Sequence, residues 1–217
     1  MTLEGKVFIV TGAANEIGAA TVRLIEDRGG TAVAADVAGT GFRLDVTQPA
    51  DWDAVIAATI AAHGHLDGLV CNTSVVSSGA IVDIDLKTFR DSARVHVEGN
   101  FTGIQKVVAQ LRNQGTPARG SIVAVAPVVA ARAVSGTAIH AATMAALSNM
   151  ARAIGVELGR KGNFIRVNVV APGEASSAPG ISDYAEDVAQ ALVFLLSDDA
   201  SFMTASVTVV DGGQSLA

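Results

Sequence analysis

The chain has 217 residues, of which 50% are hydrophobic and 17% charged, with a net charge of −6 and a mean hydropathy of +0.42. This suits one domain with a proper core, and it argues against a disordered chain or a binder of nucleic acid or anionic membrane. The single cysteine, Cys71, excludes an intrachain disulfide and predicts a reducing, cytoplasmic setting. It lies in an apolar run and reads as a small buried hydrophobe. Gly120, Pro127, Arg132 and Arg152 break the apolar stretches, so no run of about 20 residues spans a membrane. Met1 to Lys6 fits no signal peptide.

In chain order, Val7 to Val10 predicts a first strand, closed by Thr11-Gly12. A helix follows from Ile17 to Arg28, stopped by Gly29-Gly30. Thr31 to Ala35 is a second strand ending at Asp36, and Phe42 to Leu44 a short third ending at Asp45-Val46. Only Val37 to Gly41 joins them, too few residues for the usual helical crossover of about a dozen. One crossover helix has been lost. Ala50 to His63 has Trp52, Val55, Ile56 and Ile60 at helical spacing. Leu66 to Cys71 is a fourth strand and Leu86 to Leu111 a long helix, with Gly99 and Gly103 weakening its centre. Gly120 to Ala126, the alanine-rich helix Thr137 to Leu158, Ile165 to Val170, the helix Asp187 to Leu196 and the strand Ser206 to Val210 complete the pattern. The alternation predicts one α/β domain over residues 1–217, a Rossmann-type doubly wound parallel sheet covered on both faces.

Several motifs then resemble those of the short-chain dehydrogenase/reductase family, in the right order along the whole chain. Thr11-Gly12-Ala13-Ala14-Asn15-Glu16-Ile17-Gly18 is similar to the family's TGxxxGxG dinucleotide loop. Asp45-Val46 resembles its adenine-contacting pair, and Cys71-Asn72-Thr73-Ser74 its NAG-type segment. Pro172-Gly173 looks like its PG motif, and Phe194 to Gly213 resembles its C-terminal pattern. The resemblance implies cofactor contacts from Gly12, Asn15, Glu16, Ile17, Gly18, Asp36, Asp45, Val46, Asn72, Pro172 and Gly173. Asp36 would favour NAD over NADP through the ribose hydroxyls.

The chain also departs from the family. Glu16 replaces the middle glycine at a helix N-terminus that should receive a pyrophosphate. Two readings are open: its side chain points to solvent and favours the helix N-terminus, or its carboxylate occupies the anion site. Either weakens dinucleotide binding, so no tightly held cofactor is expected. The family's Asn-Ser-Tyr-Lys tetrad aligns with His96, Pro127, His140 and Met144. Proline has no hydroxyl, and methionine cannot bias a pKa. Glu174 to Ser182 is a short link where the family has a substrate lid. His63 and His65 read as solvated loop histidines.

Three functions follow as expectations. The first is a non-catalytic structural or regulatory subunit assembling with a homologous short-chain dehydrogenase, as a hetero- or homo-oligomer, dimer or tetramer. Its contacts would be Leu86–Leu111, the alanine- and methionine-rich Thr137–Leu158, and the tail Val207–Ala217. The second is an NAD-dependent oxidoreductase with His140 as acid/base assisted by His96. The third is a small-ligand sensor in the emptied crevice. A metal site lacks a third ligand at suitable spacing. If the histidines are structural, they bond to each other, to Thr143 or to water.

Overall fold

The structure is a computed structural model, and it describes residues 1–39, 41–115, 117–160, 164–173 and 184–216. Seven strands form one parallel sheet: β1 Val7–Thr11, β2 Thr31–Asp36, β3 Phe42–Arg43, β4 Gly68–Cys71, β5 Arg119–Val125, β6 Phe164–Pro172 and β7 Val207–Val210. Their order is β3-β2-β1-β4-β5-β6-β7, and every neighbouring pair is parallel. The order reverses between β1 and β4. In doubly wound folds the ligand crevice lies beyond the C-terminal ends of the strands at such a reversal. The expected Rossmann-type single domain is what the chain forms.

A parallel sheet of this kind needs cover on both faces. Strand side chains alternate accordingly. Ile9, Leu69, Ile122 and Ala124 face one core with α2 (Pro49–His63), α4 (Asn100–Asn113) and α5 (Ala138–Arg160). Phe8, Val10, Val70, Val123 and Val125 face the other, beneath α1 (Glu16–Asp27) and α6 (Tyr184–Leu196). Cys71 is buried in the first core, and burial pushes its thiol up to about 12. Among the described residues no helix is long and apolar enough to cross a membrane.

The missing crossover is confirmed: β2 passes to β3 without a helix, and Ala35 and Asp36 pair with Phe42 and Arg43. Gly41 makes this possible, because a Cβ there would lie 2.2 Å from the Ala34 carbonyl oxygen. The Glu174–Ser182 link lies outside the described residues.

Two expectations need correction. β4 begins at Gly68, not Leu66. The Gln114 carboxamide accepts from the Leu66 N–H at 2.9 Å and donates to its carbonyl at 2.7 Å, so it takes the place of a neighbouring strand. The long helix over Leu86–Leu111 is three pieces: α3 (Leu86–Ala93), a π-helical turn at Arg94–Gly99, and α4. His65 is a loop residue with a side chain 44% exposed, and it is also tethered. Its ring nitrogens lie 3.0 Å from the His63 and Gly5 carbonyl oxygens, and Asp67 is 3.2 Å away.

The two glycines of the long segment serve packing. A Cβ on Gly99 would stand 2.8 Å from Val46 Cγ2, and one on Gly103 would stand 2.3 Å from Trp52 Cζ2. Trp52 is fully buried, and its indole N–H donates to the Val46 carbonyl at 3.0 Å, so the ring cannot retreat. Gly103→Ala should gain roughly 1 kcal/mol of helix propensity and still lose stability by a net ~1–3 kcal/mol through overpacking. Urea unfolding of the variant measures this, and wild-type stability would mean that the indole has room to move.

Candidate functional site

The crevice is built on β1, β4 and the start of α1. The Thr11 hydroxyl donates to the Val70 carbonyl at 3.2 Å and accepts from Asn72 N–H at 3.0 Å, which ties the two strand ends together. The Asn72 carboxamide donates to the Gly12 carbonyl and to Asn15 Oδ1, both at 3.0 Å. Asn15 Oδ1 also accepts from Gly18 N–H at 2.9 Å, capping α1. Gly12 has φ +63°, and a Cβ on it would lie 2.6 Å from the Asn72 carbonyl oxygen. A Cβ on Gly18 would lie 2.1 Å from the Gly12 carbonyl oxygen. The structure thus brings Gly12, Asn15, Gly18 and Asn72 together, with the two asparagines fastening the loop. Glu16 is exposed at the first turn of α1. Ile17 is half-buried and packs on the α1–α6 core.

The other expected contacts are more dispersed. Each Asp36 carboxylate oxygen already accepts a backbone N–H: Oδ2 from Ala14 at 3.0 Å and Oδ1 from Ala38 at 3.1 Å. Asp45 Oδ1 accepts from the amide of Thr47 at 2.9 Å and from its hydroxyl at 2.8 Å. Val46 is buried, with its carbonyl taken by Trp52. Pro172 and Gly173 are buried beside β7. Gly173 N–H donates to the Val210 carbonyl at 3.0 Å, and its own carbonyl accepts from the Tyr184 hydroxyl at 2.7 Å. As a fit to a dinucleotide, the tight glycine approach suits a diphosphate. The added charge of Glu16 does not.

The four tetrad-aligned residues have different fates. Pro127 precedes a short 3₁₀ turn at Val128–Ala130. Met144 is 1% exposed and belongs to the core between the sheet and α5. His96, in the π-helical turn, and His140, on α5, are both buried, with ring centroids 5.4 Å apart, edge to face. They do not bond to each other. His96 Nδ1 is 2.8 Å from Thr143 Oγ1, the partner expected for a structural histidine. His96 Nε2 accepts from Val75 N–H at 2.9 Å, and the Ser74 hydroxyl is 3.3 Å from the same nitrogen.

Burial, and then the neighbouring His140, push His96 down to about 4, with the Val75 backbone opposing in part. Burial also lowers His140, again against the Val75 backbone. Both rings are therefore neutral near pH 7. His140 Nδ1 and Asn100 Oδ1 are buried without a hydrogen-bond partner among the described residues. Asn100 donates from its amide nitrogen to the His96 carbonyl at 2.9 Å. The chemistry open to the cluster is proton transfer or hydrogen bonding at His140. Among the described residues no group of three His, Cys, Asp or Glu could hold a metal ion. Sequence reasoning missed Asn100 and the Val75 amide. No motif marks either one: Asn100 acts through its carboxamide at the start of α4, and Val75 through a backbone amide that any non-proline residue would supply.

The family described as Enoyl-(Acyl carrier protein) reductase matches residues 5–181 and 174–215. A 2,5-dichloro-2,5-cyclohexadiene-1,4-diol dehydrogenase of Sphingobium indicum is 32% identical over 247 residues, covering 97% of each chain. That alignment exceeds the 217 residues of this chain, so at least 30 of its positions have no residue here. The Short-chain dehydrogenase reductase 4 of Arabidopsis thaliana is 31% identical, covering 99% of this chain and 84% of its own. The crystal structure of levodione reductase superposes with a TM-score of 0.88 at 25% identity, covering 99% of both chains. Fold, glycine loop and relatives agree: the chain belongs to the short-chain dehydrogenase/reductase family of oxidoreductases.

Proposed function

We propose that this family member has lost hydride-transfer catalysis and acts as a non-catalytic structural or regulatory subunit beside an intact homologue. The observation that carries this reading is Met144, a side chain with no titratable group, sealed in the core where the family's lysine is expected. Pro127 removes the hydroxyl expected to hold a substrate carbonyl. His96 spends both ring nitrogens on internal bonds. Glu16 disfavours the dinucleotide, and Asp36 would favour NAD over NADP if one bound.

The assembly surfaces follow from what the helices expose. The methionines of α5 turn inward, since Met144 is buried and Met150 packs on the core, so they do not belong to a docking face. The outer face instead shows Ala142, Ala146, Asn149, Ala153 and Val156. Small side chains there allow close helix packing. β7 ends the sheet and exposes Val207 and Val209, a second apolar edge for a homologous chain.

One observation favours a second reading, an oxidoreductase using His140 as acid/base. Its buried Nδ1 has no partner among the described residues, an arrangement suited to a reacting hydroxyl or carbonyl.

Calorimetric titration of the purified chain with NAD, NADH, NADP and NADPH separates the two readings. The subunit reading expects no binding at millimolar nucleotide and a stable complex on co-expression with an intact homologue. Micromolar NAD binding, with turnover abolished by His140→Ala, would replace it with the second. A separate expectation concerns pH. His96 is near 4 when folded and has an ordinary value of 6.5, so the unfolded chain takes up the extra proton. This contribution to stability is complete above the ordinary value and is lost as pH falls through the folded one. Its slope is at most about 1.4 kcal/mol per pH unit for one proton. Thermal melts of His96→Gln should show a shallower acid limb than wild type, and identical limbs would remove His96 as a source of acid sensitivity.

A further inference from the structure

The segment Asn72 to Gly79 leaves β4 and walls the crevice. At one end Asn72 holds the glycine loop. Further on, Ser77 Oγ lies 2.7 Å from Ser92 Oγ on α3, and Gly79 N–H donates to the Gly136 carbonyl at 2.9 Å. Between these anchors the segment hangs on His96. Val75 N–H donates to Nε2, with the Ser74 hydroxyl 3.3 Å from the same atom.

The protons of this network have one consistent placement. An amide N–H only donates, so Nε2 must present a lone pair. The single proton of the neutral ring is then on Nδ1 and is donated to Thr143 Oγ1. The Thr143 hydroxyl passes its own proton to the Ile139 carbonyl at 2.9 Å. Either the other tautomer or the imidazolium would set N–H against N–H at a separation of 2.9 Å.

We propose that His96 is a proton-sensitive latch on the crevice wall: neutral, it clips Ser74–Val75 to α5 through Thr143, and protonated, it lets that segment go. His140 on α5 is the titratable group facing it, edge-on at 5.4 Å. Arg94 and Glu98 flank it on its own turn and are exposed, and Asn72–Gly79 carries no titratable side chain. Burial and His140 oppose the proton more strongly than the Val75 backbone favours it, so the latch is closed near neutrality and opens toward pH 4. The inference does not depend on whether the chain turns over a substrate.

Amide hydrogen exchange tests it, corrected for intrinsic rates and read at about pH 7 and about pH 4, on either side of the isoelectric point. Val75 should lose about tenfold more protection than Val70 in β4 on acidification, the loss expected for one broken hydrogen bond. His96→Gln keeps an acceptor that does not titrate and should hold its Val75 protection, while His140→Gln should still release it. Equal protection of wild-type Val75 at both pH values, or the same loss in His96→Gln, overturns the latch. If the variants do not fold, the ring ¹⁵N shifts of wild-type His96 near pH 7 decide. A proton on Nδ1 is expected, and one on Nε2 overturns the proposal.

Discussion

A parallel sheet leaves neither face to solvent, and that constraint governs the rest of this molecule. Each strand must be apolar on both sides, which explains the high hydropathy of a chain without a membrane-length helix among its described residues. The helices must in turn be long enough to cover two faces. The short passage from β2 to β3 departs from that plan, and the sequence compensates with small residues. Ala32 and Ala34 leave little apolar surface uncovered, and Gly41 lets the link lie directly on the strand.

The crevice keeps the frame of the family scaffold. The fastening at Thr11, Gly12, Asn15, Gly18 and Asn72 is a set of backbone, hydroxyl and carboxamide bonds. It shapes the ends of β1 and β4 whether or not a nucleotide is present. Asp36 is likewise tied to the loop amides. Such residues therefore have a structural duty of their own.

The histidine cluster is more delicate. A buried imidazole is tolerated when each nitrogen has a partner. His96 meets that condition through Val75 and Thr143, whereas His140 keeps one nitrogen unpartnered among the described residues. The same low-dielectric surroundings strengthen the bonds of His96 and make its proton costly. Stability, wall position and acid sensitivity are therefore one property of a single ring.

The order and type of nearly every element were legible in the sequence, because alternation of period two and helical spacing are local signals. So were the glycine loop and the lost crossover, since spacing alone forbids a helix between Asp36 and Phe42. The tertiary structure decided matters in which distant residues compete for one group. Gln114 takes the backbone of Leu66 away from β4, and Asp67 and Gly5 claim His65. Gly99 and Gly103 read as helix weakness, yet they are gaps cut for Val46 and Trp52. His96 and His140 were placed in one pocket from the sequence. Their hydrogen-bond partners were decided only by the tertiary structure, which sets the Val75 amide at one edge of the His96 ring and Thr143 of α5 at the other.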